Sequence, residues 1–262
     1  LNALQRALAS LDIAPHNVLV VSGIGCSSNL PGFINAYGFH SLHGRSLPVA
    51  TGCRLGNTDL TVVAVGGDGD GYGIGAGHFV HTCRRNVNMT YIVMDNQVYG
   101  LTTGQQSPTT EKGVRTKSTP EGSIEVPLNP IALALAMGAT YVARGFSGDN
   151  LHLSQMMKGA IDHKGFALVD VFSPCVTYNK HNTYPWFRER VYKLEDERHD
   201  TSDFRLAMEK ALEWGARIPI GVFYKTERPT YEDEESVLRG GVSLAKQPLK
   251  RTDLAAIMED FI

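Results

Sequence analysis

At 262 residues, with 42% apolar side chains and a formal net charge of −2, the chain can bury a sizeable core and has no bulk electrostatic reason to meet nucleic acid or an anionic membrane. No apolar run reaches the roughly 18 residues of a membrane-spanning helix. Leu1 to Asp12 lacks the basic-then-apolar layout of a signal peptide, which predicts a cytoplasmic protein. Four cysteines, at positions 26, 53, 83 and 175, are too few and too scattered for a secreted disulfide framework, so they read as reduced thiols or metal ligands.

In chain order, Val18 to Ser22 is a short continuous apolar run that enters a glycine turn at Gly23-Ile24-Gly25, the pattern of a buried strand. Thr61 to Val65 repeats it and runs into Gly66 to Gly71. Ile74, Ala76, Phe79, Val80 and Cys83 then recur at helical spacing over Ile74 to Arg85, and Met89 to Met94 is another buried run. Asn129-Pro130 reads as an N-cap with proline at the first helical position, opening a helix over Ile131 to Met137. Leu151 to His163 reads as a helix and Phe166 to Val171 as a strand.

Alternating buried strands and helices predict an α/β fold, a parallel sheet flanked by helices on both faces. Ligands in such sheets bind at the carboxyl edge, where the turns after Val21 and Val65 and the Asp95-Asn96 pair would lie. Composition changes near Tyr184, which divides the chain into a ligand-binding domain, 1–184, and a C-terminal extension, 185–262. Within the extension Ser202 to Trp214 reads as an amphipathic helix and Pro219 to Tyr224 as one more strand. The acidic run Glu232 to Glu235 and the basic stretch from Lys246 to Arg251 read as solvated surface before partner contact.

The loop Gly66 to Gly77 carries the chemistry. A phosphate-binding P-loop needs Lys-Ser or Lys-Thr after its glycines, and neither is present. A calcium EF-hand starting at Asp68 would need glutamate where Phe79 stands. A dinucleotide fingerprint, Gly71-x-Gly73-x-x-Ala76 with Asp95 ending the next strand, remains as a rival. Its difficulty is that Asp68 and Asp70 would face a pyrophosphate unless a cation intervened. With Mg²⁺, which takes hard oxygens in octahedral geometry, Asp68 and the amide oxygen of Asn96 become assets.

Gly67-Asp68-Gly69 with an Asx-Asn pair 26 positions after Gly69, at Asp95-Asn96, resembles the signature of thiamine-diphosphate enzymes. The resemblance implies a thiamine-diphosphate-binding fold with Asp68, Asn96 and the main-chain carbonyl of Val98 as Mg²⁺ ligands. Asp95 departs from the usual asparagine at the first position of that pair.

The resemblance sharpens over residues 15–180. The segments Ser22 to Ser27, Leu42 to Arg45, Ala50 to Gly52, Gly66 to Asp70, Gly75 to Phe79, Val98 to Thr102 with Gly104-Gln105, and Ser173 to Cys175 resemble beta subunits of 2-oxoacid:ferredoxin oxidoreductases. The pattern is most similar to the 2-oxoglutarate enzymes. The family implies that Ile24, Gly25, Cys26 and Ser27 line the cofactor pocket, with Gly69 and Asp70 at the diphosphate and Gly100 and Leu101 after the metal loop. It implies His43 as a catalytic or cofactor contact, and Arg45 as a contact for a substrate carboxylate or a surface residue. Thr103 stands where broad-specificity archaeal relatives often carry lysine.

The family also implies a [4Fe-4S] cluster with Cys26 and Cys175 as two of its ligands. The others belong to a Cys-x-x-Cys expected upstream of Leu1, which is not an initiator Met. Cys53 and Cys83 read as buried small apolar residues. The implied partners are an alpha subunit, in a heterodimer or α2β2 heterotetramer, that supplies the glutamate facing the aminopyrimidine, together with ferredoxin, a 2-oxoacid and coenzyme A. The alternatives are a cluster-free thiamine-dependent decarboxylase, a lyase, and a non-catalytic assembly or electron-transfer module.

Overall fold

The computed structural model describes residues 1–248 and 254–259. Eight strands form one sheet in the order β2-β1-β3-β4-β6-β5-β8-β7. They are β1 (Val18–Ser22), β2 (Tyr37–His40), β3 (Thr61–Gly67), β4 (Met89–Asp95), β5 (Tyr141–Phe146), β6 (Phe166–Phe172), β7 (Val191–Lys193) and β8 (Ile218–Lys225). Every neighbouring pair is parallel except β5 with β8.

Strands β1 and β6 are buried along their whole length and β4 at every residue but Met94, as their continuous apolar runs require of a sheet covered on both faces. Helices α2 (Ser46–Gly56), α3 (Ala76–Arg85), α4 (Pro130–Ala136) and α7 (Phe204–Ala211) bury Leu47, Phe79, Ile131 and Ala207 in one core. Helices α1 (Asn2–Ser10) and α5 (Asn150–Asp162) close the other face with Leu4, Leu153 and Met157 against Val63, Ile92 and Val169. Each fully buried Phe or Leu in these layers stabilises the fold by about 1.5–3 kcal/mol. Among the described residues no helix is long and apolar enough to cross a membrane.

Caps set the helix starts. Asn129 accepts the Ala132 N–H at 3.0 Å with Pro130 at the first turn of α4, and Asp149 accepts the His152 N–H at 3.1 Å to open α5. Where the periodicity predicts one helix from Ile74, the chain first makes a π turn over Gly69–Ile74, and α3 starts at Ala76.

Residues after Tyr184 do more than extend the molecule. The short α6 (Tyr184–Arg188) packs Phe187 against Phe172 with ring centroids 4.4 Å apart, and β7 and β8 complete the same sheet. The acidic run opens α8 (Tyr231–Glu234) and is not a solvated face throughout. Glu232 is buried, where it pairs with Arg54 Nε at 2.8 Å and accepts the Asn88 N–H, because two otherwise unpaired donors lie beneath it. A last helix, α9, spans Leu254–Glu259. Of the basic stretch, residues 249–251 lie outside the described residues.

One buried titratable group sits far from the carboxyl edge. His163, just past α5, places Nε2 2.8 Å from the Thr140 hydroxyl, which itself donates to Asn86 Oδ1. Burial, then the nearby Lys225, push its pKa from 6.5 down to about 4, against a smaller opposing pull from Glu227. The unfolded chain therefore takes up this proton near pH 6.5 and the folded chain only near 4. Stability should be full above the upper value and fall as pH drops towards the lower one. Urea denaturation across this window should show that loss, and His163→Gln should flatten the slope.

Candidate functional site

Three backbone bonds extend the parallel ladders past the strand ends and align the loops. Gly23 N–H donates to Val65 O at 2.9 Å, Ser41 N–H to Ser22 O at 2.9 Å, and Ser173 N–H to Asp95 O at 2.8 Å. The loops after β1, β2, β3, β4 and β6 therefore leave the carboxyl edge side by side, and they carry the residues that the sequence singles out.

Asp70 is the meeting point of two of these loops. Its buried Oδ1 accepts the Ile24 N–H at 3.0 Å, the Gly44 N–H at 2.7 Å and His43 Nδ1 at 2.7 Å. A neutral His43 is thereby held with its proton on Nδ1, which leaves Nε2 as the acceptor. The His43 ring stands edge-on to Tyr99 at 6.1 Å, and the Tyr99 hydroxyl donates to Gly69 O at 2.8 Å. Gly23 and Gly44 permit this closeness. A Cβ at Gly23 would lie 1.8 Å from the Asp70 carboxylate, and one at Gly44, whose φ is +68°, would lie 2.7 Å from the Gly75 nitrogen.

Asp68 and Asn96 follow neighbouring strands, since Gly67 is in register with Met94. Asp68 is buried, and burial raises its pKa to about 6 despite hydrogen bonds that favour the carboxylate. The Thr109 hydroxyl lies 2.7 Å from Asp68 Oδ2 and 2.8 Å from Asp95 Oδ1. With one proton it can donate to only one of them at a time. Asp95 is held well above the usual carboxylate range by burial, then by Asp170 and Asp68.

Behind this pair Asp170, fully buried, accepts from Tyr72 Oη at 3.0 Å and Arg144 Nε at 3.2 Å. An array of hard oxygens that burial has left short of positive charge is the environment a divalent cation fits. Asp68, Asn96 and the Val98 carbonyl are its candidate ligands. The orphaned, buried Asp70 Oδ2 adds to the same shortage of donors.

The two predicted cysteines flank one glycine. A Cβ on Gly100 would lie 3.1 Å from Cys26 Sγ and 3.7 Å from Cys175 Sγ. Burial first, then Cys175, raise the Cys26 pKa, which places both sulfurs in one electrostatic neighbourhood. Among the described residues no third Cys, His, Asp or Glu joins them in a group able to hold a metal ion. Cys83 is buried in the core and Cys53 packs against it.

Ser27 is buried and Gly25 has a φ of +135°, while Leu101 is exposed. Arg45 is exposed, with Nη1 bonded to the His43 carbonyl at 3.0 Å. Thr103 receives Lys117 Nζ at 2.8 Å. Thr109, Thr110 and Asn179 belong to no motif in the sequence. The one sequence signal for the first two is the hydroxyl-rich Ser107-Pro108-Thr109-Thr110 with no apolar periodicity, and Asn179 has none.

Residues 20–171 match the family model for the thiamine pyrophosphate enzyme C-terminal TPP-binding domain, and residues 175–240 match the model for the C-terminal part of pyruvate ferredoxin oxidoreductase beta subunits. The second match reaches into the stretch beyond 190, where the motifs add little. The chain is 50% identical to a 2-oxoacid:ferredoxin oxidoreductase subunit beta of Sulfolobus sp, over 89% of this chain and 81% of that relative. It is 45% identical to the 2-oxoacid:ferredoxin oxidoreductase 1, subunit beta, of Aeropyrum pernix, over 98% and 86%. The solved 2-oxoglutarate:ferredoxin oxidoreductase from Magnetococcus marinus, with 2-oxoglutarate, coenzyme A and succinyl-CoA bound, superposes with a TM-score of 0.90 at 43% identity, covering 98% of this chain and 87% of that one.

The Thr109 bridge can be tested without knowing the reaction. Thr109→Val should leave two buried carboxylates facing one another without the hydroxyl between them, lowering the stability of the metal-free protein by about 1–3 kcal/mol. Mg²⁺ should restore part of the loss in thermal melts, whereas the same loss with and without Mg²⁺ would show that no cation answers these carboxylates.

Proposed function

Since the chain belongs to the family of 2-oxoacid:ferredoxin oxidoreductase beta subunits, we propose that it binds thiamine diphosphate through Mg²⁺ and works in the oxidative decarboxylation of 2-oxoglutarate to an acyl-coenzyme A. The carrying observation is the packing of Gly100 against Cys26 and Cys175, two residues beyond the candidate ligand Val98. One short loop thus joins the diphosphate end of a cofactor site to a pair of thiols. A cluster-free decarboxylase, the main alternative, has no use for that pair.

In this reading Asp68, Asn96 and the Val98 carbonyl hold Mg²⁺, while Ile24, Gly25, Cys26, Ser27, Gly69, Asp70, Gly100 and Leu101 line the cofactor. The open space beside Gly25 suits close backbone approach to a diphosphate, whereas the space beside Gly69 is filled by the Tyr99 ring. When bound, thiamine diphosphate supplies the carbon nucleophile and electron sink for loss of CO₂. His43, fixed by Asp70, presents Nε2 as a proton acceptor near the reacting groups. Cys26 and Cys175 would supply two of the four thiolates that a [4Fe-4S] cluster needs, and Cys83 and Cys53, which lie in and against the core, are not placed to add to them.

The chain works with a partner subunit, which we assign as an alpha subunit in a heterodimer or α2β2 heterotetramer. It closes the site and supplies the carboxylate that faces the aminopyrimidine. The exposed Phe39, Leu42, Ile74 and Leu101 around the carboxyl-edge loops support such closure, since apolar rims of this kind favour burial against another surface. Residues 185–262 add a second contact for it. Ferredoxin is the electron acceptor, and the setting is the cytoplasm.

The test is coenzyme-A-dependent reduction of viologen by the complex, with 2-oxoglutarate and pyruvate compared. Turnover with 2-oxoglutarate well above that with pyruvate is expected, with an acyl-coenzyme A product. Release of free aldehyde without coenzyme A, in protein lacking iron, would establish the decarboxylase instead. The isolated, metal- and thiamine-loaded subunit should be inactive.

A further inference from the structure

Asn179 is buried at 6% exposure, four residues past Cys175, and every polar atom of its side chain is engaged. Its Oδ1 accepts the His181 N–H at 3.0 Å and the Asn182 N–H at 3.0 Å. Two backbone donors on one oxygen fix the amide's orientation, so Nδ2 faces the opposite way. There it donates to the main-chain carbonyl of Asn96 at 3.1 Å, with a longer approach of 3.5 Å to Asn182 Oδ1. The backbone of the same residue returns to its start, Asn179 N–H donating to Cys175 O at 3.2 Å, beside a Tyr178 N–H contact to Cys175 Sγ at 3.4 Å.

The next carbonyl along the ligand loop, that of Gln97, is taken by the Thr110 hydroxyl at 2.7 Å. Two successive carbonyls are thus claimed by side chains, one from the loop after β6 and one from farther along the same loop after β4, and the following one, on Val98, is the candidate metal ligand. The loops are themselves tied together, since Asn182 Nδ2 donates to Glu111 Oε1 at 2.7 Å and Glu111 follows Thr110 directly.

We propose that Asn179 is a positioning residue that locks the Asn96–Val98 ligand loop to the Cys175 loop, so that occupancy of the Mg²⁺ and diphosphate site and the setting of the two thiols are mechanically linked. This rests on the cofactor assignment made above, but it concerns a residue outside the set proposed to line the cofactor. A donor on Asn179 holds the Asn96 carbonyl away from the ligand side and presents the Asn96 amide and the Val98 carbonyl. Without that donor the loop must order itself when the cation binds, and binding weakens by the cost of ordering.

Asn179→Asp isolates this role. The carboxylate still receives the His181 and Asn182 N–H groups, so the 175–182 turn is kept, but it cannot donate to Asn96 and sets an oxygen against a carbonyl. In the complete complex, stripped of cofactor, calorimetric titration with thiamine diphosphate and Mg²⁺ should show about tenfold weaker binding than wild type, on the scale of one lost buried hydrogen bond. The thermal midpoint without cofactor should fall as well, since a buried carboxylate is left against the Asn96 carbonyl, while kcat at saturating cofactor should be nearly unchanged, so the affinity is the deciding readout. A residue that merely braced its own turn would shift the melt and not the affinity.

No saturable binding by wild type would remove the cofactor assignment itself. Wild-type binding matched by the Asp variant would overturn the role of Asn179 and leave that assignment standing. Amide hydrogen exchange on wild type gives an answer even where the variant fails to fold. Adding thiamine diphosphate and Mg²⁺ should slow exchange over residues 175–182, and unchanged exchange there, with slowed exchange at 96–104, would overturn the link.

Discussion

The carboxylate of Asp70 is the constraint on which the rest of the site depends. A buried anion is tolerated when donors surround it, and these come from loops far apart in the chain, at Ile24, His43 and Gly44. Satisfying one oxygen therefore fixes the separation of the turns after β1 and β2 and sets the tautomer of His43. The glycines at 23 and 44 are the steric counterpart, since a side chain at either would occupy the space that the carboxylate or the backbone beside it already fills. Electrostatics and van der Waals exclusion thus require the same geometry.

Around this hub the interior is unusually acidic. Asp68, Asp95 and Asp170 are all buried, with Arg144 the cation paired to Asp170 and stacked 4.9 Å over the Phe172 ring. Removing one partner of such a pair strands the other charge in a poor solvent. The Asp68 and Asp95 carboxyls have hydroxyl and backbone donors but no comparable cation, and their raised pKa values report the shortage. A divalent ion at the carboxyl edge would offset it, so that carboxylates able to repel a diphosphate would instead help to retain one.

The sheet's parallel register turns these local demands into one site. Chains entering the edge at Gly23, Asp68, Asn96 and Cys175 come from positions spread over most of the sequence, yet ladder bonds align their last residues. Continuous apolar runs made β1, β3, β4 and β6 readable, and the Asn-Pro cap made α4 readable, because burial on both faces and capping leave local marks. The strand β2 left no such mark, since its four residues are exposed at the sheet edge. Nor did β5, whose interior carries Arg144 because Asp170 lies opposite it in register. The antiparallel pairing of β8 with β5, across nearly eighty residues of chain, is likewise a long-range choice.

What the sequence determined by itself was the chemistry. Carboxylates set among glycines, an Asx-Asn pair after the next strand and two cysteines beside small residues specify hard-oxygen and thiolate donors, because side-chain type and local backbone freedom are properties of single positions. Tertiary structure decided which of these groups meet and what holds them in place. Thr109 between two carboxylates, Gly100 between two sulfurs and Asn179 on the Asn96 carbonyl are contacts across 14, about 75 and 83 residues. Hydrogen bonds over such separations have no local periodicity to announce them. They exist because the sheet first brings its strand ends together.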